Sequence, residues 1–66
     1  MDWNLEGRIV CGKYAGLVQV RGTVLESRVA YGGRVKHHVE LIEPVEVYGA
    51  KRYSVLVNHE EVENVE

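Results

Sequence analysis

The hydrophobic positions follow the two-residue period of β-strands along most of the chain, and glycines separate the periodic segments. The alternation runs through residues 5–11, 17–30, 35–43, 45–48, 51–57 and 62–65, with turns predicted at residues 12–16, 31–33 and 49–50. Successive side chains of a strand point to opposite faces, so each segment offers one face for burial. The polar residues 58–61 predict a turn or a single 3₁₀ turn before the last strand.

The second segment, residues 17–30, is too long for one regular strand, and its apolar residues change phase. Val18, Val20 and Val24 share one parity, whereas Leu25 and Val29 share the other. A phase change requires an extra residue in the strand, a β-bulge, which also bends the sheet. We therefore expect a bend between residues 22 and 25 that lets one strand serve two parts of a small barrel.

Gly32 and Gly33 mark the turn of a central hairpin, and the apolar pattern selects its register. A two-residue loop would set Val29 against Lys36, whereas a three-residue loop over residues 31–33 keeps apolar residues opposite each other. Gly33 is then expected to supply the positive φ of the accompanying bulge. The pairs predicted by the three-residue loop are Val29 with Val35, Ser27 with His37 and Leu25 with Val39.

Composition supports strands, since thirteen valines, two isoleucines and four tyrosines stand against three alanines. The order of a bent strand, two hairpins, a short helical turn and a final strand resembles the SH3-like small barrels. The resemblance implies an architecture and no function, because no peptide-binding motif accompanies it. We expect an all-β fold, a small strongly bent antiparallel sheet or SH3-like barrel of five to six strands, with residues 1–66 in a single domain.

The brevity and the low lysine content also resemble small phage-encoded proteins, which implies a location in the host cytoplasm. No apolar run approaches the roughly 20 residues that span a bilayer. Residues 1–4 lack the basic and apolar regions of a signal peptide, and the single cysteine, Cys11, excludes a disulfide within the chain. A cytoplasmic protein that does not contact membranes is therefore expected.

The net charge of −2 conceals an uneven distribution. Residues 7–39 contain six basic residues and one acid, Glu26, which gives this stretch a charge of +5. Residues 40–66 contain seven glutamates against Lys51 and Arg52, which gives a charge of −5. This split concerns partners and assembly rather than fold. The alternative is that folding intermixes the two charges over one surface.

The candidate catalytic and metal-binding residues are few and scattered. His37 and His38 are neighbours on a strand, so their side chains point to opposite faces and do not share a metal. Cys11 has no base beside it, the glycines do not form a phosphate loop, and no pair of acids suggests acid–base chemistry. The sequence predicts no catalytic residue, metal or cofactor, and the protein is not expected to be an enzyme.

Residues of the central hairpin form the candidate ligand site. In the three-residue register, Arg28 lies opposite Lys36 on the outer face. Arginine offers planar paired donors and lysine a mobile charge for phosphate or carboxylate, while a tyrosine at the loop tip could stack on a base or sugar. The alternative is that these charges only keep a sheet edge soluble. The candidate residues are Arg28, Tyr31, Arg34, Lys36 and His38.

Self-association is expected for a domain that buries so little surface. Val24, Ile42 and Leu56 fall on the polar faces of their strands and are the predicted interface. We therefore expect a non-enzymatic oligomeric binding protein that captures an anionic ligand, either a nucleotide-like small molecule or nucleic acid. In a phage-encoded protein this would be sequestration or counter-defence. The alternative is an interaction module that docks on a host protein through an edge strand or an apolar face.

Overall fold

One antiparallel sheet contains all the strands of the computed structural model, which describes residues 3–66; Met1 and Asp2 lie outside the described residues. The strands are β1 (Ile9–Tyr14), β2 (Val18–Val29), β3 (Val35–Val47), β4 (Ala50–Asn58) and β5 (Val62–Val65). Their order across the sheet is β4-β3-β2-β1-β5, and the sheet does not close. The all-β prediction is confirmed, and the strand order is compatible with an SH3-like fold.

The sheet bends around a single core of aliphatic side chains. β1 and β4 contact each other across this core although neither pairs with the other. A short 3₁₀ turn, His59–Glu61, connects β4 to β5 and is the one helical element within residues 3–66. The described chain therefore contains no helix with the length and apolarity to cross a membrane. The buried core residues are Leu5, Val10, Val20, Val24, Val39, Leu41, Val55 and Val57.

The predicted bend of β2 is a β-bulge at Leu25. Val24 pairs with Val39 and Glu26 pairs with His38, which leaves Leu25 as the extra residue. The expected pairing of Leu25 with Val39 is therefore wrong by one position. Val24 is only 1% exposed, so it belongs to the core and not to the polar face of β2 on which it was predicted. The reason is that the bulge follows Val24, so Val24 keeps the inward phase of the preceding half of β2.

The central hairpin has the predicted three-residue loop. Val29 pairs with Val35, and the N–H of Ala30 donates to the carbonyl oxygen of Arg34 at 2.6 Å. Gly33 has the expected positive φ of +81°, and Gly32 has a φ of +88° as well. Both glycines therefore occupy a region that side-chain-bearing residues rarely adopt.

The β3–β4 hairpin is more irregular than the pattern suggests. Its turn is the two-residue loop Tyr48-Gly49, with φ values of +53° and +76°, one residue earlier than predicted. β3 continues through Pro44 to Val47, but its register with β4 shifts between Glu40 and Val45. Because proline has no N–H for the ladder, the irregularity falls where regular pairing could not continue.

The first strand starts and ends later than predicted. Residues 5–8 form an N-terminal arm on β2, in which the N–H of Gly7 donates to the carbonyl of Val24 at 2.8 Å. β1 runs on through Gly12, which the pattern placed in a turn. A Cβ at this position would lie 2.5 Å from the carbonyl oxygen of Glu61. Gly12 is thus required by the close approach of the 3₁₀ turn, and the true turn is residues 15–17.

Gly22 should be intolerant of any side chain, because a Cβ there would overlap the carbonyl oxygen of Glu40 on β3. We expect Gly22→Ala to lower the free energy of unfolding by about 2 kcal/mol or more through this overpacking. Thr23→Ala, at the next position of the same strand, should cost less. Denaturant unfolding measures both; a Gly22→Ala variant as stable as the wild type would contradict the backbone contact.

Candidate anion-binding site

Basic side chains meet on the outer face of the β2–β3 hairpin. Arg28 pairs with Lys36, and Glu26 pairs with His38. Ser27 and His37, which lie between these pairs, are buried. Because neighbouring residues of a strand face opposite sides, the burial of Ser27 and His37 turns the charged residues outward.

These outward side chains line an open depression of about 300 Å³. Leu56 of β4 also lines the depression. It pairs with His38, and its side chain is 58% exposed. Three of the five predicted site residues therefore come together. Tyr31 and Arg34 do not line it: they belong to the hairpin end, where Tyr31 is fully exposed. The lining residues are Glu26, Arg28, Lys36, His38 and Leu56.

One acid partly compensates the charge of the depression. A carboxylate oxygen of Glu26 accepts a hydrogen bond from Arg28 at 2.9 Å, and both side chains are more than half exposed. Exposed ion pairs of this kind contribute about 0–1 kcal/mol, so an anion can displace the carboxylate at small cost. Within residues 3–66, Lys36 and Arg34 form no salt bridge.

Elsewhere the basic half of the chain is neutralised by the acidic half. The guanidinium of Arg21 donates two hydrogen bonds to the side-chain carboxylate of Glu66, at 2.7 and 2.8 Å. The Nε of Arg8 donates to the main-chain oxygen of Glu66 at 3.1 Å. The Arg21 contact lowers the pKa of Glu66, and Glu66 raises that of Arg21. The two charges therefore intermix where the arm and the first half of β2 meet Glu66, whereas Lys36 and Arg34 of the hairpin have no acidic partner among residues 3–66.

A second depression of about 230 Å³ adjoins the first. The two share His38 and Leu56, and the second adds Arg52 from β4. The sequence analysis did not select Arg52, because it assigned this residue to the acidic half of the chain. The pairing of His38 with Leu56 is what brings β4 beside the hairpin. The remaining lining residues are Tyr14, Ser54 and Val55.

Beneath the outer face lies a hydrogen-bonded series of polar groups, which we call the buried polar chain: Ser27, His37 and His59. The Oγ of Ser27 lies 2.8 Å from Nδ1 of His37, and Nε2 of His37 lies 2.8 Å from Nδ1 of His59. His37 has no exposed surface. Burial, and then the proximity of His59, lowers the pKa of His37 below its ordinary value.

His59 links the buried polar chain to a groove of about 640 Å³ between the N-terminal arm and β5. Sequence reasoning paired Ser27 with His37 but missed His59. The available signal was that both paired residues are polar on an inward face, which requires a further polar partner. The groove is lined by Asn4, Leu5, Arg8, His59, Glu60, Val62, Glu63, Asn64 and Val65.

The remaining predicted residues lie on other parts of the surface. Ile42 is 52% exposed, in a depression of about 360 Å³ that also contains Cys11 and Arg21. Cys11 is a half-buried free thiol. Across residues 3–66 no three histidine, cysteine, aspartate or glutamate side chains group in a way that could hold a metal ion.

No protein-family model, curated protein or solved structure matches this chain. The resemblance to phage-encoded proteins therefore stays a prediction. The function is therefore inferred from the geometry of the site.

Stability should depend on pH through His37. The unfolded chain takes up a proton on this ring near the ordinary pKa of 6.5, whereas the folded chain takes it up at a lower pH. Below about pH 6.5 the unfolded state therefore binds more protons than the folded state. The free energy of unfolding has its full value above that pH and decreases as the pH falls below it. Denaturant unfolding between about pH 5 and pH 8 measures this. His37→Gln should flatten the dependence and His38→Gln should keep it; equal slopes in wild type and His37→Gln would contradict it.

Proposed function

We propose that this protein is a non-enzymatic binding protein that captures a phosphate-bearing ligand on the outer face of the β2–β3 hairpin. The observation that carries the proposal is the cross-strand pair of Arg28 and Lys36 in one depression with His38 and Leu56. Two cations side by side, with Glu26 as the one acid that lines the depression, favour a dianion over a neutral ligand.

The neighbouring groups suit the rest of a nucleotide-like molecule. Leu56 offers an apolar surface beside the cations, and Tyr31 presents its ring at the hairpin tip. A sugar or base can pack against Leu56. The ring of Tyr31 can stack on a base, and such stacking does not depend strongly on which base it is. Arg34 and Arg52 extend the positive charge in both directions along the face, which would serve a second phosphate or a strand of nucleic acid.

A single copy does not enclose the ligand. The depression of about 300 Å³ is at the lower limit of small-molecule pockets, which usually bury most of the ligand. We propose that a second copy of the chain covers it at Leu56, in an interface that also extends to the exposed side chain of Ile42 in the separate depression beside Cys11. Leu56 belongs to both the depression and this apolar surface, so ligand binding and self-association would share one face.

The second candidate function is docking on another protein. It is favoured by β4, which is an edge strand of the sheet and pairs only with β3. β4 also exposes Tyr53 and Leu56. An edge strand with free main-chain groups can accept a strand from a partner. Retention of one protein partner, without any binding of phosphate compounds, would favour this candidate.

Charge reversal at the hairpin should remove ligand binding. We expect Arg28→Glu and Lys36→Glu each to weaken binding of a nucleoside monophosphate, a cyclic dinucleotide or a short oligonucleotide by at least about tenfold, because each removes a charged donor and adds a repulsive charge. Lys51→Glu is the matched control, since it makes the same charge change on an exposed position outside the depression. Isothermal titration calorimetry measures the affinities.

The salt dependence of the same titrations identifies the kind of ligand. Single-stranded nucleic acid should show a slope of log K against log salt of about −0.7 per phosphate contact, whereas one or two enclosed phosphates should show a shallow slope. If folded wild-type protein binds none of the three ligands, or if Arg28→Glu binds as well as Lys51→Glu, the proposal fails.

Self-association has a separate test. Light scattering at micromolar concentration should give a mass that is a multiple of 7.5 kDa. Ile42→Glu should reduce it to that of one chain without unfolding the protein, because Ile42 is half-exposed in the single chain. Leu17→Glu, at an exposed leucine of the β1–β2 loop, should leave the mass unchanged. A wild-type mass of 7.5 kDa would contradict the shared face.

A further inference from the structure

The N-terminal arm is fastened to β2 around the bulge. The N–H of Leu5 donates to Oγ of Ser27 at 2.9 Å, and the N–H of Ser27 donates to a carboxylate oxygen of Glu6 at 3.0 Å. Further along the arm, the N–H of Val24 donates to the carbonyl of Arg8 at 2.9 Å. Ser27 is therefore the point at which the arm meets the buried polar chain.

The hydrogen positions in the buried polar chain follow from counting donors and acceptors. Among the described contacts, the hydroxyl hydrogen of Ser27 has one acceptor, Nδ1 of His37. His37 must then carry its own hydrogen on Nε2 and donate it to Nδ1 of His59. Every group is satisfied in this arrangement, and all the bonds run in one direction from the Leu5 amide to His59.

One added proton disrupts this arrangement. A proton on Nδ1 of His59 makes that nitrogen a donor, so His37 must accept at Nε2 and carry its hydrogen on Nδ1. The Nδ1 hydrogen of His37 then points at Ser27, whose hydroxyl hydrogen loses its acceptor and whose oxygen must accept from both His37 and Leu5. A buried donor without an acceptor is costly, and of the groups bonded to Ser27 only those of the arm lie outside the strands.

The charged groups around the buried polar chain lie at its two ends. Glu6 faces the Ser27 end from the arm. At the His59 end, the groove brings Arg8 from the arm, Glu60 from the 3₁₀ turn and Glu63 from β5. On the sheet side the neighbours are apolar: His37 pairs across to Val57 of β4, which is fully buried. No acid of the described residues bonds to either histidine ring to neutralise an added proton in place.

We propose that the buried polar chain is a pH-sensitive latch: in its neutral form it holds the N-terminal arm on β2, and a proton that enters at the His59 end releases the arm while the sheet stays folded. This inference goes beyond the proposed function and does not depend on it. Its readout is the conformation of residues 5–8, not ligand binding.

Amide hydrogen exchange measured by NMR tests the latch in the wild-type protein. As the pH falls from about 7.5 to about 5, the protection factors of Leu5 and Gly7 should fall, by at most about tenfold per pH unit, because one proton is linked to opening. At the acid end these arm amides should exchange freely while those of Val39 and Val55 remain protected. Emission from Trp3, the single tryptophan, should change over the same interval.

Three variants assign the response to the chain. His59→Gln should keep the arm closed throughout, because an amide oxygen can still accept from His37 and does not titrate in this range. Ser27→Ala should open the arm at every pH, and His38→Gln, on the outer face, should respond like the wild type. The proposal is overturned if Leu5 and Gly7 stay as protected as Val39 and Val55 at about pH 5. A His59→Gln response equal to the wild type overturns it too, as does a Ser27→Ala arm that stays protected.

Discussion

The extra residue at Leu25 bends β2 and decides which of its side chains face the core. A single five-stranded sheet of this size can bury a core only by bending, and the bulge supplies the bend while reversing which side chains of β2 face inward. Before it, Val20 and Val24 enter the core. After it, Ser27 faces inward and Arg28 outward. Without the bulge the parity of β2 would place Arg28 in the core and Ser27 on the surface.

The same reversal explains why so small a core contains polar groups. Ser27 and His37 occupy inward positions that apolar residues would otherwise fill, and burial without hydrogen bonds would cost them stability. Partners come from the two ends of the described chain: Leu5 and Glu6 at one end, and His59 at the other. Within residues 3–66, every buried side-chain nitrogen or oxygen has a partner. Hydrogen bonding thus complements apolar packing in fastening the arm and the 3₁₀ turn to the sheet.

Sequence patterning predicted the features that depend on local alternation and missed those that depend on long-range approach. The phase change in β2 and the pairing of Val29 with Val35 follow from parity, so the outer-face pair of Arg28 and Lys36 could be predicted. The burial of Val24 was missed because parity locates a bulge only to within a few residues. Gly12 resembled a turn because its true reason, the nearby Glu61 carbonyl, is far away in sequence. Arg52 and His59 join their neighbours only through β4 and the turn after it.

We propose that an anion binds where β2, β3 and β4 present Arg28, Lys36, His38 and Leu56 together. The most direct measurement is an NMR titration of the ¹⁵N-labelled protein with a nucleoside monophosphate. The amide signals of these residues should shift together and saturably, and those of the arm and β5 should stay in place. Signals that do not move, or that move instead around the groove between the arm and β5, would contradict the claim.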